Sequence, residues 1–160
     1  ENKDKLKDEY KHFLNVFIHD INLIRYLFDT LPEIKNVDYQ NIAGTVNLGF
    51  KDIPGVFEFG YLETNRFWAE GVDIYFENGL LQLKLPPAFL INCPATIVIE
   101  KDKPDKSIES ISPKPDWSWS FMKQAESFVE TVLSGKKSIA NANDGLKDIE
   151  FIEKIWKRII

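Results

Sequence analysis

The sequence predicts an α+β domain: an open, largely antiparallel β-sheet of about six strands, with one helix before it and two after it, packed on one face. Three observations carry this. Apolar residues recur every three or four positions over residues 4–29, alternate every second position between about 36 and 113, and return to helical spacing after 120. Helix, run of strands, then two helices is the order of an α+β fold, not of alternating βα units. With 160 residues and 44% hydrophobic content, the chain is long enough for a real core and is read as a single domain over residues 1–160.

Leu6, Tyr10, Phe13, Phe17, Ile21, Ile24 and Phe28 mark one amphipathic helix that Leu31-Pro32 terminates. Val46, Leu48 and Phe50 alternate with polar or small residues, Asp52-Ile-Pro54-Gly55 supplies a turn, and Val56 to Leu62 returns as a partner strand. Val72 to Glu77 and Leu80 to Leu85 flank Asn78-Gly79, the pair preferred in a type I′ hairpin turn because both central residues need positive φ. Ala95 to Glu100 and Lys106 to Ile111 read as two further strands around the polar turn Lys101 to Asp105. Phe121, Ala125, Phe128, Val129, Val132 and Leu133 form the stripe of a helix ended by Gly135. Asn143-Asp144 then offers an N-cap for a last helix carrying Leu146, Ile149, Ile152, Ile155, Trp156 and Ile159.

Composition excludes several classes. Net charge is −5 with no run of basic residues, so a nucleic-acid footprint is not expected. No apolar stretch approaches the length of a membrane span. The single cysteine rules out an internal disulfide framework and a cysteine-based zinc site, and fits a reducing, cytoplasmic compartment. Glu1-Asn2-Lys3-Asp4 opens the chain without a signal peptide, and the piece is read as part of something longer. Glycine-rich cofactor loops, nucleophile elbows and His-Glu-x-x-His are all missing from the sequence, so it offers no cofactor-binding residues.

The segment Asn15 to Phe28 holds His19, one of two histidines, four residues after Asn15 and next to Asp20. On a regular helix Asp8, His12, Asn15, His19, Asn22 and Tyr26 fall on one narrow face. Such a stripe is either a polar wall toward a substrate, with His19 as acid or base, or a solvated face, the more common case. His12 and His19 lie two turns apart, about 10.5 Å of rise, too far to share one metal ion, and no metal site is expected. Trp117, Trp119, Phe121, Trp68 and Tyr61 could stack on a sugar ring, although packing is the usual fate of such rings. Glu63, Glu70 and Asp73 are carboxylates of unfixed separation and support no glycosidase assignment. Cys93 reads as a structural thiol.

Three segments resemble the C-terminal domain of the glucose–fructose oxidoreductase, inositol dehydrogenase and rhizopine-catabolism family (Gfo/Idh/MocA). Asn15-Val-Phe-Ile-His19-Asp20-Ile-Asn-Leu-Ile-Arg25-Tyr26-Leu27 is similar to that family's D-x-x-x-H-D-(I/L)-D-L-x-R-Y-L helix. Trp68 to Leu83 is similar to its hairpin, and Ser120 to Gly135 with Ala142 to Ile155 to its two closing helices. The resemblance implies a glyceraldehyde-3-phosphate dehydrogenase-like C-terminal domain. It forms one wall of the substrate cleft in a two-domain oxidoreductase that uses NAD or NADP. The dinucleotide would be bound by an N-terminal Rossmann domain absent from this chain.

The resemblance further implies hydride transfer at a CH–OH group of a sugar, nucleotide sugar or cyclitol, and a homo-oligomer formed through the open sheet face. His19 is implied as the catalytic proton acceptor or donor. Asn15 stands where the family has Asp and is implied as a substrate-binding amide, which can hydrogen-bond a hydroxyl but takes no proton. The family's Glu-Lys-Pro lysine has no counterpart, since Lys103-Pro104 follows Asp102 in a strand turn. The chain by itself is therefore expected to be inactive. The alternative is a ligand-binding or dimerisation module of the same fold without chemistry, or a carbohydrate-binding domain using the Trp and Tyr residues.

Overall fold

The computed structural model describes residues 2–41, 43–61, 64 and 66–160. They form two compact units, the first from residues 1–63 with 139–160 and the second from residues 64–138. The class is α+β with open antiparallel sheets. Among the described residues seven strands form two sheets, β1-β2-β3 in the first unit and β4-β5-β6-β7 in the second. The strands are β1 (Glu33–Gln40), β2 (Ala43–Phe50), β3 (Ile53–Phe59), β4 (Gly71–Phe76), β5 (Gly79–Lys84), β6 (Thr96–Asp102) and β7 (Ile108–Ile111).

The extra strand relative to the sequence reading is β1. Its apolar residues Ile34, Val37 and Tyr39 break strict alternation because Lys35 is bulged out of the ladder between Ile34 and Asn36. The turn before β3 also lies earlier than expected. Lys51 takes φ 57°, while Pro54 and Gly55 sit inside β3. An edge strand tolerates this, since the missing N–H of Pro54 can face away from the ladder. Leu62, the expected end of that strand, lies outside the described residues.

The β4–β5 hairpin turns at Glu77-Asn78, one residue ahead of Asn78-Gly79, and neither Asn78 nor Gly79 has a positive φ. Gly79 is used for close approach instead: a Cβ there would stand 2.4 Å from the Glu100 carbonyl oxygen across the β5–β6 ladder.

The N-terminal helix is not uniform. It runs as α1 (Asn2–His12), a π turn (Phe13–Phe17) and α2 (Ile18–Phe28), and ends at Asp29 in the left-handed region. The π turn has a packing reason. Phe13 and Ile21, eight residues apart, would lie about 80° apart around a regular helix. Closing one turn over an extra residue brings them within about 20°, and both are buried, at 2% and 1% exposure.

Among the described residues the buried core lies wholly in the first unit. Phe13, Phe17, Phe57 and Phe59 meet edge-on or tilted at 5.0–6.4 Å, and α4 (Ala142–Trp156) covers them with Ile152, Ile155 and Trp156. The α4 cap is Asn141, whose side chain accepts from the backbone N–H groups of Asn143 and Asp144. That places it two residues before the expected pair and leaves the Asp144 carboxylate to another partner.

In the second unit, α3 (Ser120–Ser134) ends as expected at Gly135, φ 65°. No residue of α3 is buried, and Phe128, Val132 and Leu133 are exposed.

Two glycines give opposite expectations. Gly79→Ala should cost about 1–3 kcal/mol by forcing the β5–β6 ladder apart. Gly145→Ala, in the first turn of α4 with nothing within 4 Å of the new Cβ, should stabilise by about 0.5–1 kcal/mol. Urea unfolding of the two variants measures both.

Candidate functional site

The candidate site is the outer side of α2 and the π turn. Burying Phe13, Phe17 and Ile21 turns Asn15 and His19 outward, and both are exposed. Tyr26 is 70% exposed on the same side of α2.

The π turn changes the expected stripe. His12 and His19 would lie about 20° apart on a regular helix and are about 120° apart once one residue is absorbed. His12 accordingly leaves the polar wall. It is half-buried, with its ring edge-on to Phe17 at 5.7 Å and to Tyr61 at 4.9 Å. Asp8 pairs with Lys11 at 2.9 Å on the surface, and that hydrogen bond holds its carboxyl below the usual carboxylate range.

Asn22 is also withdrawn. Its amide donates to Asp148 Oδ2 at 2.7 Å, joining a network that sequence reasoning missed. Arg25, in the last turn of α2, donates through Nη1 to Asp148 Oδ1 and, at 3.1 Å, to the Asp144 carbonyl; Nη2 reaches Asp144 Oδ1 at 2.7 Å. Asp148 is 2% exposed. Burial works to lower the Arg25 guanidinium, and the two carboxylates outweigh it, so the group is raised above its ordinary value. The same hydrogen bond from Arg25 holds the Asp144 carboxyl below the usual range. One signal was available: Asp144 and Asp148 are four apart on α4, and Asn22 and Arg25 three apart on α2, each pair beside an apolar stripe. The network fastens α2 to α4 and leaves Asn15, His19 and Tyr26 as the outward polar groups of the original stripe.

The remaining candidates scatter. Trp119 is half-buried and donates its indole N–H to the Ala88 carbonyl at 3.0 Å, with Phe121 edge-on to it. Trp117 is 80% exposed, and Trp68 donates to the Glu70 carboxylate at 3.0 Å. Tyr61 belongs to the other unit. Asp73 accepts from Gln82 at 3.3 Å, Glu63 lies outside the described residues, and Cys93 is a half-buried free thiol.

Among the described residues no group of three His, Cys, Asp or Glu side chains could hold a metal ion. No helix there is long and apolar enough to cross a membrane. Among the described residues every strand pairing is antiparallel, and no glycine loop leads from a strand into a helix, the arrangement on which a Rossmann-type dinucleotide site is built. Two surface hollows, one along α3 at Met122, Val129 and Leu133 and one beside Ile34, Phe151 and Arg158, include neither His19 nor Asn15.

No family model matches the sequence, and no curated protein matches it. Solved structures do match in fold. The probable oxidoreductase yhhX superposes with a TM-score of 0.64 at 11% identity, covering 91% of this chain and 47% of its own. The probable oxidoreductase yvaA from Bacillus subtilis gives 0.65 at 13% identity, covering 90% and 48%. The likeness establishes the fold, and the chain spans about half the length of either structure.

Removing the clamp tests its weight. Arg25→Ala leaves Asp148 buried without its cation and should cost about 3–5 kcal/mol. The pH dependence comes from Asp144, whose folded-state pKa is depressed. Its contribution should be fully present above the ordinary carboxylate value of about 4, and lost as pH falls through the folded value. Urea midpoints measured from pH 7 into the acid range should therefore fall less steeply for Asp144→Asn than for the parent chain.

Proposed function

We propose that this chain is the substrate-side domain of an NAD(P)-dependent oxidoreductase of the Gfo/Idh/MocA type, acting on a CH–OH group of a sugar, nucleotide sugar or cyclitol. The observation that carries the reading is a coincidence. The fold is that of two probable oxidoreductases, and the one exposed imidazole of α2 stands outward where the helix resembles that family's histidine motif.

In this reading His19 holds or moves the proton of the reacting hydroxyl, a task for which an imidazole is suited near neutral pH. The Asn15 amide hydrogen-bonds a neighbouring hydroxyl and orients the ring without exchanging a proton. NAD or NADP is held by protein outside this chain, and that part also closes over His19. The proposed setting is cytoplasmic, a reducing compartment that the single Cys fits.

A second copy of the chain is the proposed oligomeric partner, through the second sheet. Val72, Ile74, Leu81, Leu83, Ile97 and Ile99 share one face of it, and none is buried. That face equally favours the second reading, a dimerisation module of the same fold that performs no chemistry.

The first test addresses the two-part arrangement, and the second separates these readings. The chain alone should bind neither NADH nor NADPH in a fluorescence titration, and saturable binding would remove the two-part arrangement. In the full-length protein His19→Ala should lower kcat by about 10²–10⁴-fold with KM little changed. Unchanged turnover would take His19 out of the mechanism.

A further inference from the structure

We propose that Arg25 is a positioning residue: its clamp on Asp144 and Asp148 holds the π turn in place and so sets the angle at which α2 presents His19. A π turn inside an α-helix is rare, so something outside the helix has to favour it. The apolar residues pull both ways: the π register brings Ile21 from about 80° to about 20° of Phe13 but takes Ile24 from about 20° to about 80°. Measured from Phe13, a straight α-helix would put Leu27 about 40° from the core direction and Arg25 about 120° away. With one residue absorbed in the π turn, Arg25 moves to about 20° and Leu27 to about 140°.

Phe28 stays on the core side in both registers, about 60° or about 40° off. The two registers therefore exchange Leu27 for Arg25 on the inner face while keeping the helix amphipathic. The structure shows the second: Leu27 is 42% exposed, and Arg25 is turned inward among Asp144, Asp148 and the Asp144 carbonyl.

The clamp supplies what the straight register lacks. Asp148 is buried and accepts from both Asn22 and Arg25. In a straight helix Asn22 would point about 180° from Phe13, leaving that carboxylate without either donor. An unpaired buried carboxylate is costly, so the pair of acids on α4 selects the register of α2. His19 lies in the first turn after the π turn, and its direction relative to α1 and the core changes by about 100° between the registers. The clamp thus acts on His19 through the helix and not by contact. The functional meaning of this rests on the role proposed for His19; the register itself does not.

The test reads the register directly. In a Cys93→Ser background, Leu27→Cys should react readily with iodoacetamide. Adding Arg25→Gln with Asp148→Asn removes the charges and the guanidinium fork without stranding a buried ion. The thiol at position 27 should then turn inward and its labelling slow by about tenfold or more. A folded double variant that labels as fast as its parent overturns the proposal. Should that pair not fold, Asp144→Asn alone removes the outer arm and the same two results decide. Deletion of Leu14 gives an independent reading, because it takes out the extra residue. It should cost the parent chain more stability than it costs the doubly substituted one, and equal costs overturn the proposal. Because neither readout uses turnover, a passive His19 would leave both results intact.

Discussion

A buried ion pair between residues 25 and 148 organises the first unit. Arg25 and Asp148 are separated by 123 positions, and everything between β4 and β7 intervenes. Two ions removed from water are tolerable only when their remaining hydrogen-bond capacity is met. Here Asn22 takes the second oxygen of Asp148, while Asp144 offers the guanidinium both a carboxylate oxygen and a backbone carbonyl. Among the described residues no buried side-chain polar atom lacks a partner. An apolar pair would have packed as well at lower desolvation cost. What charge adds is direction, since an arginine fork fits two carboxylates in few orientations.

That directionality passes into the core. With α2 fixed on α4, Ile21 is driven between the helices and the β1–β3 sheet, where Ile152 and Ile155 are fully buried. Phe13 and Phe17 then meet Phe57 and Phe59 on the sheet, and Phe28 stacks on Phe50 at 4.2 Å. Aromatic edge-to-face contacts are tolerant of small shifts but not of a rotated helix. The same geometry decides what is left outside. His19, Asn15 and Tyr26 are outward because the inward sectors are taken.

How legible this was depends on which interactions are local. The helices and most strands can be read from spacing, and Gly135 marks the end of α3 where a left-handed residue is needed. β1 escaped because one bulged lysine offsets Ile34 from Val37 and Tyr39 and breaks the period of two. The hairpin turn moved one residue because Gly79 answers to the Glu100 carbonyl on the next strand, which outweighs the local preference for Asn-Gly in a type I′ turn. The π turn was hidden for the same reason: Phe13 and Ile21 look displaced by two turns of ordinary helix until the core and the clamp are both in view. Local rules were overridden wherever a long-range contact had a stake in the register.

The site was legible in its residue types but not in its extent. His19 is identifiable as a candidate from its residue type and its place on the helix, and the structure leaves it exposed. Of the six positions on the inferred stripe, however, His12 is engaged in aromatic contacts and Asn22 is bound to Asp148. A proton-transferring imidazole gains its power from a bound substrate held at hydrogen-bond distance and from exclusion of bulk water. An exposed helix face supplies neither. In the proposed reading the enclosure comes from a second surface, and α2 is held on its inner side by Arg25, Ile21 and Phe17 and is polar on its outer side. The inner contacts fix the angle at which His19 leaves the helix, and the role proposed for His19 depends on that angle.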